Sequence, residues 1–198
     1  MKYFILLLPL ACSCVAGCSD PVAVDERPAV LQFEVAGRLE ESKIDEASGL
    51  ARSQREPGLL WTMNDEGKPY LYALDLTGAH RGRVELKKSD NRDWEDLASF
   101  ELDGEPYLLV ADIGDNLARY KKRTLYIAKE PRADESKTRT DWEIDFEYPD
   151  GPRDAEAAAV DIENERVLVL SKRDIPPALY EVPLRDDDDG KVTARWLG

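Results

Sequence analysis

The chain has 198 residues, a formal net charge of −14 and an ordinary hydrophobic content of 42%. This length and composition suit one folded domain with a sizeable core and exclude global disorder. The acidic surplus argues against a nucleic-acid-binding protein and against simple adsorption to anionic membrane surfaces, because both partners require a basic protein face.

Residues 1–17 form a predicted lipoprotein signal peptide. A basic residue precedes an apolar stretch that is too short to span a bilayer, and Val15-Ala16-Gly17-Cys18 resembles the bacterial lipobox. The resemblance implies a lipid on Cys18 and a place in the cell envelope; if the organism is Gram-negative, Ser19 after the cysteine favours the outer membrane. Ordinary secretion with cleavage near Ala16 is the alternative.

The next two segments lead into the folded part of the chain. Residues 18–29 are polar and contain two prolines, so we expect a mobile tether. Residues 30–36 alternate apolar and polar side chains, which predicts one β-strand that belongs to no repeat.

The rest of the chain repeats one pattern three times. In each copy an acidic segment opens a first strand, an apolar run forms a second, and a Leu-Tyr dipeptide marks a third. A repeat with four strands is typical of a propeller blade. We therefore predict an all-β fold, a partial β-propeller over residues 30–198. Its four-stranded antiparallel blades span about 46–87, 94–148 and 155–197, and residues 134–138 form a polar connection. A β-sandwich is the alternative.

Three blades make an incomplete ring, since propellers have about four to eight. The outer sheet edges and one inner face would stay open to pairing. We expect the sequence to be the N-terminal half of a six-bladed protein. The alternative is that two chains pair through their open sheet edges to close one ring.

Four motifs resemble a known group of proteins: Glu46–Leu50, Asp93–Leu97, Asp112–Asn116 and Asp154–Ala157. Together they are similar to secreted bacterial six-bladed propellers of the SdiA-regulated and phytase-like (esterase-like) type. The resemblance covers about residues 45–198. It implies a propeller fold and, for some members, a calcium-type site in or near the central channel.

The first strand of a blade lines the channel, so Glu46, Glu95 and Glu156 are expected to converge on the axis. Converging carboxylates repel one another, and a hard cation such as Ca²⁺ relieves the repulsion. Further candidate ligands follow the second strand of the middle blade: Asp112, Asp115 and Asn116. Other polar groups expected at the channel are Asn64, Asp65, Lys172 and Arg173. The last two could instead neutralise the carboxylates, and each acidic group could simply cap a turn or a neighbouring backbone.

Two functions stay open at this point. The first is a lipid-anchored module that binds or scaffolds an unknown protein or small molecule, with Ca²⁺ as a candidate cofactor. The second is a calcium-dependent hydrolase of the phytase, esterase or lactonase type. The single histidine, His80, argues against a Ser-His nucleophile pair and against zinc.

Overall fold

A computed structural model describes residues 3–5, 34–185 and 192–198. All regular structure in these ranges is β-strand. The same ranges contain no helix that could cross a bilayer. The strands are β1 (Tyr3–Ile5), β2 (Val35–Arg38), β3 (Ala47–Arg52), β4 (Leu59–Asn64), β5 (Tyr70–Asp75), β6 (His80–Lys87), β7 (Trp94–Leu102), β8 (Glu105–Asp112), β9 (Lys122–Lys129), β10 (Lys137–Arg139), β11 (Trp142–Glu147), β12 (Ala155–Asp161), β13 (Arg166–Ser171), β14 (Leu179–Pro183), β15 (Val192–Thr193) and β16 (Arg195–Trp196).

Three antiparallel meanders follow one another along the chain. Unit 1 contains β3, β4, β5 and β6; unit 2 contains β7, β8, β9 and β11; unit 3 contains β12, β13, β14 and β16. In each unit the first strand is the inner edge of its sheet, and these inner strands lie side by side, with β7 between β3 and β12. The all-β, propeller-like arrangement of three incomplete-ring blades is therefore confirmed.

Short strands pair each unit with the next, a pairing that the sequence pattern did not predict. β10 comes from the unit 2 segment yet pairs in parallel with β6 of unit 1, and β15 of unit 3 pairs in parallel with β11 of unit 2. The connection at 134–138 thus contains part of a strand. The predicted fourth strand of unit 3 splits at Ala194, so that β15 joins unit 2 and β16 stays in unit 3.

A similar contact between units occurs near the start of the described chain. β2 makes backbone hydrogen bonds to the turn between β5 and β6, where Arg38 N donates to Thr77 O at 3.0 Å. In units 2 and 3 the equivalent segment, between the third and fourth strands, contains β10 or β15 and pairs with the outermost strand of the preceding unit. β2 therefore takes the place of an outermost strand that precedes unit 1. β2 also pairs antiparallel with β1. The predicted strand at 30–36 is found at 35–38; residues 30–33 lie outside the described residues.

Within the described residues the core consists of two layers of apolar side chains between adjacent sheets and a smaller cluster of Ile44, Leu60, Tyr72 and Leu74 in unit 1. One layer lies between units 1 and 2 and includes Trp61, Met63 and Tyr126. The other layer lies between units 2 and 3 and includes Leu109, Phe146 and Tyr180. Each layer is formed by alternate residues of the strands, as the two-residue period of a β-strand requires.

Positions that are buried between units become exposed where no further unit packs. Leu170 of unit 3 occupies the place of Met63 and Ala111, which are fully buried, yet it is 40% exposed. Leu50 of unit 1 occupies the place of buried Leu97 and is 42% exposed. These two surfaces are the open faces of the incomplete ring.

Candidate functional site

Three carboxylates from two neighbouring units meet where the inner strands begin. Asp154 immediately precedes β12, Glu156 lies in β12, and Glu95 lies in β7 of the adjacent unit. One oxygen atom from each side chain lies within 4.8 Å of the others. We call these three residues the acidic cluster. Oxygen atoms at this spacing could hold a metal ion.

A β-bulge at the start of each inner strand places these side chains. In unit 2, Trp94 pairs with Asp112 and Asp96 with Ala111, so Glu95 is the extra residue. In unit 3, Glu156 is the extra residue by the same pattern. Because a bulge redirects the local side chain, both glutamates turn towards the boundary between the units.

Glu46 does not occupy the equivalent position in unit 1. Ala47 pairs with Asn64, so Ala47 corresponds to Trp94, and Ser48 corresponds to Glu95. The predicted equivalence of the three glutamates is therefore wrong for unit 1. All three units have the same one-residue bulge, and Glu46 lies two residues before the position that corresponds to Glu95. Glu46 is exposed, and its pKa is raised mainly by the nearby charge of Asp65.

A fourth carboxylate, that of Asp93, and Gly114 lie beside the acidic cluster. A Cβ atom on Gly114 would lie 2.5 Å from Oε1 of Glu95 and 2.6 Å from Oδ2 of Asp93. Such distances are too short for non-bonded atoms, so the carboxylates of Asp93 and Glu95 fill the space that a side chain at 114 would need. The glycine allows both carboxylates to approach the loop that follows β8.

Two carboxyl groups at this site, those of Glu95 and Asp93, have raised pKa values. Burial, followed by the charges of Glu156 and Asp93, raises the pKa of Glu95 to about 8. Burial and the charge of Asp154 also raise the pKa of Asp93. At neutral pH the Glu95 carboxyl group therefore retains a proton, and a cation that binds there must displace it.

Two internal cations balance the other half of the cluster. The Lys172 ammonium forms an ion pair with Glu156, and Arg173 Nε donates to Asp154 Oδ2 at 2.8 Å. Asp154 also accepts a hydrogen bond from Asp115 N at 2.8 Å and is nearly completely buried. Within the described residues, Asp93 and Glu95 have no cationic partner at ion-pair distance.

The predicted ligands that follow β8 are used inside the protein. Asp112 is buried and accepts hydrogen bonds from Arg92 at 3.4 Å and from Asp93 N at 3.2 Å. The amide oxygen of Asn116 accepts a hydrogen bond from Arg173. These contacts place Asp112 and Asn116 beside arginines rather than in the acidic cluster.

Asp115 forms a buried ion pair with Arg123, whose side chain is completely inaccessible. Burial alone would raise the pKa of Asp115. The backbone N–H groups of Arg119 and Tyr120, together with the guanidinium, outweigh it and lower the pKa. A carboxylate stabilised in this way is already charged and paired, so it serves the loop structure rather than an external ion.

The remaining predicted channel residues lie near Glu46, at the start of unit 1. The Asn64 amide donates to Lys43 O and to Asp45 Oδ1, both at 2.8 Å. Asp65 accepts a hydrogen bond from Glu66 N at 2.7 Å, which closes its turn. Lys172 and Arg173 alone among the predicted channel residues reach the acidic cluster. Cys18 lies outside the described residues.

Sequence reasoning missed Asp154, Asp93 and Gly114 as parts of this site. The available signal was the repeated Asp-x-Glu pattern, Asp93-x-Glu95 and Asp154-x-Glu156, which places two carboxylates on one side of a bulged strand start. Unit 1 lacks the pattern, which explains why the cluster forms only between units 2 and 3.

No family model and no curated protein matches this chain. The chemistry of the site therefore rests on its geometry.

Proposed function

We propose that this chain is a cell-envelope β-propeller module that binds a divalent cation at Glu95, Asp154 and Glu156 and acts as a binding or scaffolding protein. The observation that carries the proposal is the convergence of three carboxylates from two units within 4.8 Å. A cation there would link the inner strands β7 and β12. It would thereby stabilise the end of the ring where a ligand meets the channel.

Ca²⁺ suits this site better than other divalent metals. All candidate ligands are carboxylate oxygens, which favour hard cations. The only histidine, His80, lies in β6 beside Glu41, away from the cluster, so a zinc site has no nitrogen ligand there. Ca²⁺ also tolerates the irregular geometry that a bulged strand provides, whereas Mg²⁺ requires a near-octahedral shell.

Calorimetric titration of the purified protein with CaCl₂, at low ionic strength and pH 8, tests the cation site. We expect saturable binding with one ion per chain, a rise in melting temperature, and loss of both in Glu156→Gln. Glu163→Gln is the matched control, because Glu163 is an exposed carboxylate outside the cluster. Equal binding by wild type and Glu156→Gln would reject the site.

The envelope location is a separate part of the proposal and rests on the lipobox-like sequence that ends at Cys18. Expression in a bacterial host with radiolabelled palmitate tests it. We expect label in the wild-type protein and none in Cys18→Ala, with the wild type in the detergent phase on partition. An unlabelled wild-type protein in the aqueous phase would favour ordinary secretion.

A second candidate function, calcium-dependent hydrolysis, is favoured by the raised pKa of Glu95. In this function Asp154 and Glu156 alone would hold the Ca²⁺, and Glu95, with a pKa of about 8, would keep its proton at neutral pH and act as a general acid. Turnover of p-nitrophenyl phosphate and p-nitrophenyl acetate, with and without chelator, separates the two functions. Chelator-sensitive turnover that Glu95→Gln abolishes would establish the hydrolase; calcium binding without turnover supports the binding module.

A further inference from the structure

The loop that joins β8 to β9 exposes apolar side chains at one end of the ring. In this loop, residues 113–121, Leu117 is 65% exposed and Tyr120 is 49% exposed. Unit 2 has a neighbouring unit on both sides, so the open faces of the incomplete ring do not explain this exposure. A further unit in the ring would therefore leave both side chains exposed.

Contacts within the protein hold this loop in a defined shape. Ala118 N donates to Asp115 O at 2.8 Å, and Tyr120 N donates to Asp115 Oδ2 at 2.9 Å. The Tyr120 ring also lies against two guanidinium groups, with the Cζ atoms of Arg92 and Arg123 at 4.9 and 5.8 Å from the ring centroid. The fold therefore holds the tip of the loop out in water instead of packing it onto the sheet.

A third exposed apolar side chain lies in the neighbouring loop of unit 3. Ile175, between β13 and β14, is 98% exposed. Both loops follow the second strand of their unit, so they lie at the same end of the ring, and Arg173 donates a hydrogen bond to the amide oxygen of Asn116 between them. We call Leu117, Tyr120 and Ile175 the apolar tips. Neighbouring exposed apolar side chains of this kind mark a surface that contacts a protein or a membrane.

The same loop is a basic segment of an acidic protein. Residues 116–122 contain Arg119, Lys121 and Lys122 and no acidic residue, although the whole chain has 41 Asp and Glu residues against 27 Lys and Arg. Lys122 forms an ion pair with Asp145 at 2.6 Å. Within the described residues, the exposed side chains of Arg119 and Lys121 form no ion pair. Two cations are therefore available beside the apolar tips.

The carboxylates at the base of the two loops each have an arginine of their own. The pairs are Asp112–Arg92, Asp115–Arg123, Asp154–Arg173 and Asp174–Arg153. A cationic partner cancels the charge of a carboxylate, which a neutral N–H donor would not do. Arg119 and Lys121 therefore keep a positive charge that these carboxylates do not cancel.

We propose that this end of the ring contacts a bilayer that contains anionic lipid. The apolar tips Leu117, Tyr120 and Ile175 enter the interfacial region, and Arg119 and Lys121 lie at the level of the anionic headgroups. A tyrosine suits this depth because its ring is apolar and its hydroxyl stays in contact with water. The net charge of −14 disfavours adsorption through the rest of the surface, so the contact is confined to the two loops.

Tryptophan fluorescence tests the position of the contact. Leu117→Trp and Ile162→Trp are each prepared in the full chain with Cys18→Ala, which prevents lipidation. They are mixed with vesicles of phosphatidylcholine and phosphatidylglycerol in equal parts, whose acyl chains carry bromine as a short-range quencher. Ile162 is the matched control, because it is an exposed apolar residue in the β12–β13 turn, at the opposite end of unit 3. We expect Leu117→Trp, and not Ile162→Trp, to show more quenching than the parent protein. Equal quenching at both positions, or none added at 117, would overturn the proposal.

The same signal tests the chemistry of the contact. Titration of Leu117→Trp with vesicles gives the lipid concentration at half-maximal quenching. Adding Arg119→Gln should raise this concentration about fivefold, since one cation at the headgroups is lost. Adding Arg139→Gln, which removes an exposed cation outside the two loops, should leave it within about twofold. Equal changes for the two variants would show only general electrostatic attraction and would overturn the loop as the contact.

Two conditions separate this proposal from the proposed function. A chelator is present throughout, so a cation that bridges the acidic cluster to phospholipid cannot produce the signal. Because the protein carries Cys18→Ala, the lipid on that residue does not contribute either. A negative result would therefore overturn the loop contact and leave the cation site and the lipid anchor untouched. Circular dichroism and thermal unfolding establish that each variant folds.

Discussion

Two glutamates of unit 2 differ sharply in their surroundings. Glu130, which follows β9, is 2% exposed and accepts hydrogen bonds from Trp61 Nε1 at 2.9 Å, from Gln54 N at 2.9 Å and from the Ser53 hydroxyl. Glu95, at the opposite end of unit 2, has the Ser48 hydroxyl at 3.4 Å and carboxylates around it.

Glu130 is a structural carboxyl group, whereas Glu95 is available for a ligand. The donors around Glu130 belong to the β3–β4 loop of unit 1 and to Trp61 of β4, so this carboxyl group anchors the loop across the unit boundary. Around Glu95, burial and the neighbouring negative charges make ionisation unfavourable until a cation arrives. The identity of the neighbours, donors in one case and carboxylates in the other, distinguishes the two residues.

The largest effect is expected from removing the structural carboxylate. Glu130→Ala leaves the indole N–H of Trp61 and the backbone N–H groups of Gln54 and Arg55 without their acceptor. The free energy of unfolding should fall by about 3 kcal/mol, measured by urea denaturation. Glu135→Ala, at an exposed position, should change it by less than about 0.5 kcal/mol. A loss below about 1 kcal/mol for Glu130→Ala would contradict its anchoring role.

Gly114→Ala should have the next largest effect, because the new methyl group would overlap the carboxylates of Asp93 and Glu95. We expect a loss of about 1–3 kcal/mol in unfolding free energy and weaker cation binding. Gly198→Ala is the control, since a Cβ atom there would have no neighbour within 4 Å. Unchanged stability together with unchanged Ca²⁺ affinity would show that the cluster can move aside.

Glu95→Gln should change the pH dependence of stability more than stability itself. The pKa of Glu95 is about 8 in the folded state, above the ordinary value of 4.5, so the folded state holds the proton more tightly. This contribution to stability is complete below the ordinary pKa and is lost as the pH rises through about 8.

Urea denaturation at pH 5, 7 and 9 measures this dependence. Wild-type stability should decline from pH 5 to pH 9 more steeply than that of Glu95→Gln, and saturating Ca²⁺ should flatten the wild-type decline. Parallel curves for the two proteins would mean that Glu95 does not carry the raised pKa.

The smallest expected change is a gain of cation affinity in Lys172→Gln. The Lys172 ammonium pairs with Glu156 and competes with a cation for that carboxylate. Because Lys172 is nearly half exposed, the pair is screened by water, and we expect an increase of only several-fold in Ca²⁺ affinity by calorimetry. Lys121→Gln serves as the control. Reduced affinity in Lys172→Gln would mean that the lysine supports the site.

The repeat pattern predicted the units because strand alternation and turn residues are local signals. Strand β3 begins one residue after the predicted start of the first blade, and the Asp103-Gly104 turn joins β7 to β8, with both residues at positive φ. Strand β10 escaped prediction because it is three residues long and depends on pairing with another unit, and the pairing of β15 with unit 2 escaped for the second reason.

The site was harder to predict than the fold, because the strand register determines which side chains meet. Glu95 and Glu156 were identified from their place at a strand start, and the structure brings them together. Glu46 was misplaced because it lies two residues earlier in the strand register than Glu95 and Glu156 do, an offset that only the strand pairing reveals. The contacts of Asp112 and Asp115 with Arg92 and Arg123 come from tertiary packing, which motif spacing does not encode.

The connecting strands have a consequence for the order in which the polypeptide folds. The outer edge of unit 1 is completed by β10, and that of unit 2 by β15, each delivered by the chain segment that builds the following unit. Neither of these two units can therefore complete its sheet before the following segment has been synthesised. Until then the outermost strand of each of these sheets has an unpaired edge. The units are therefore expected to fold in overlapping steps rather than as independent domains.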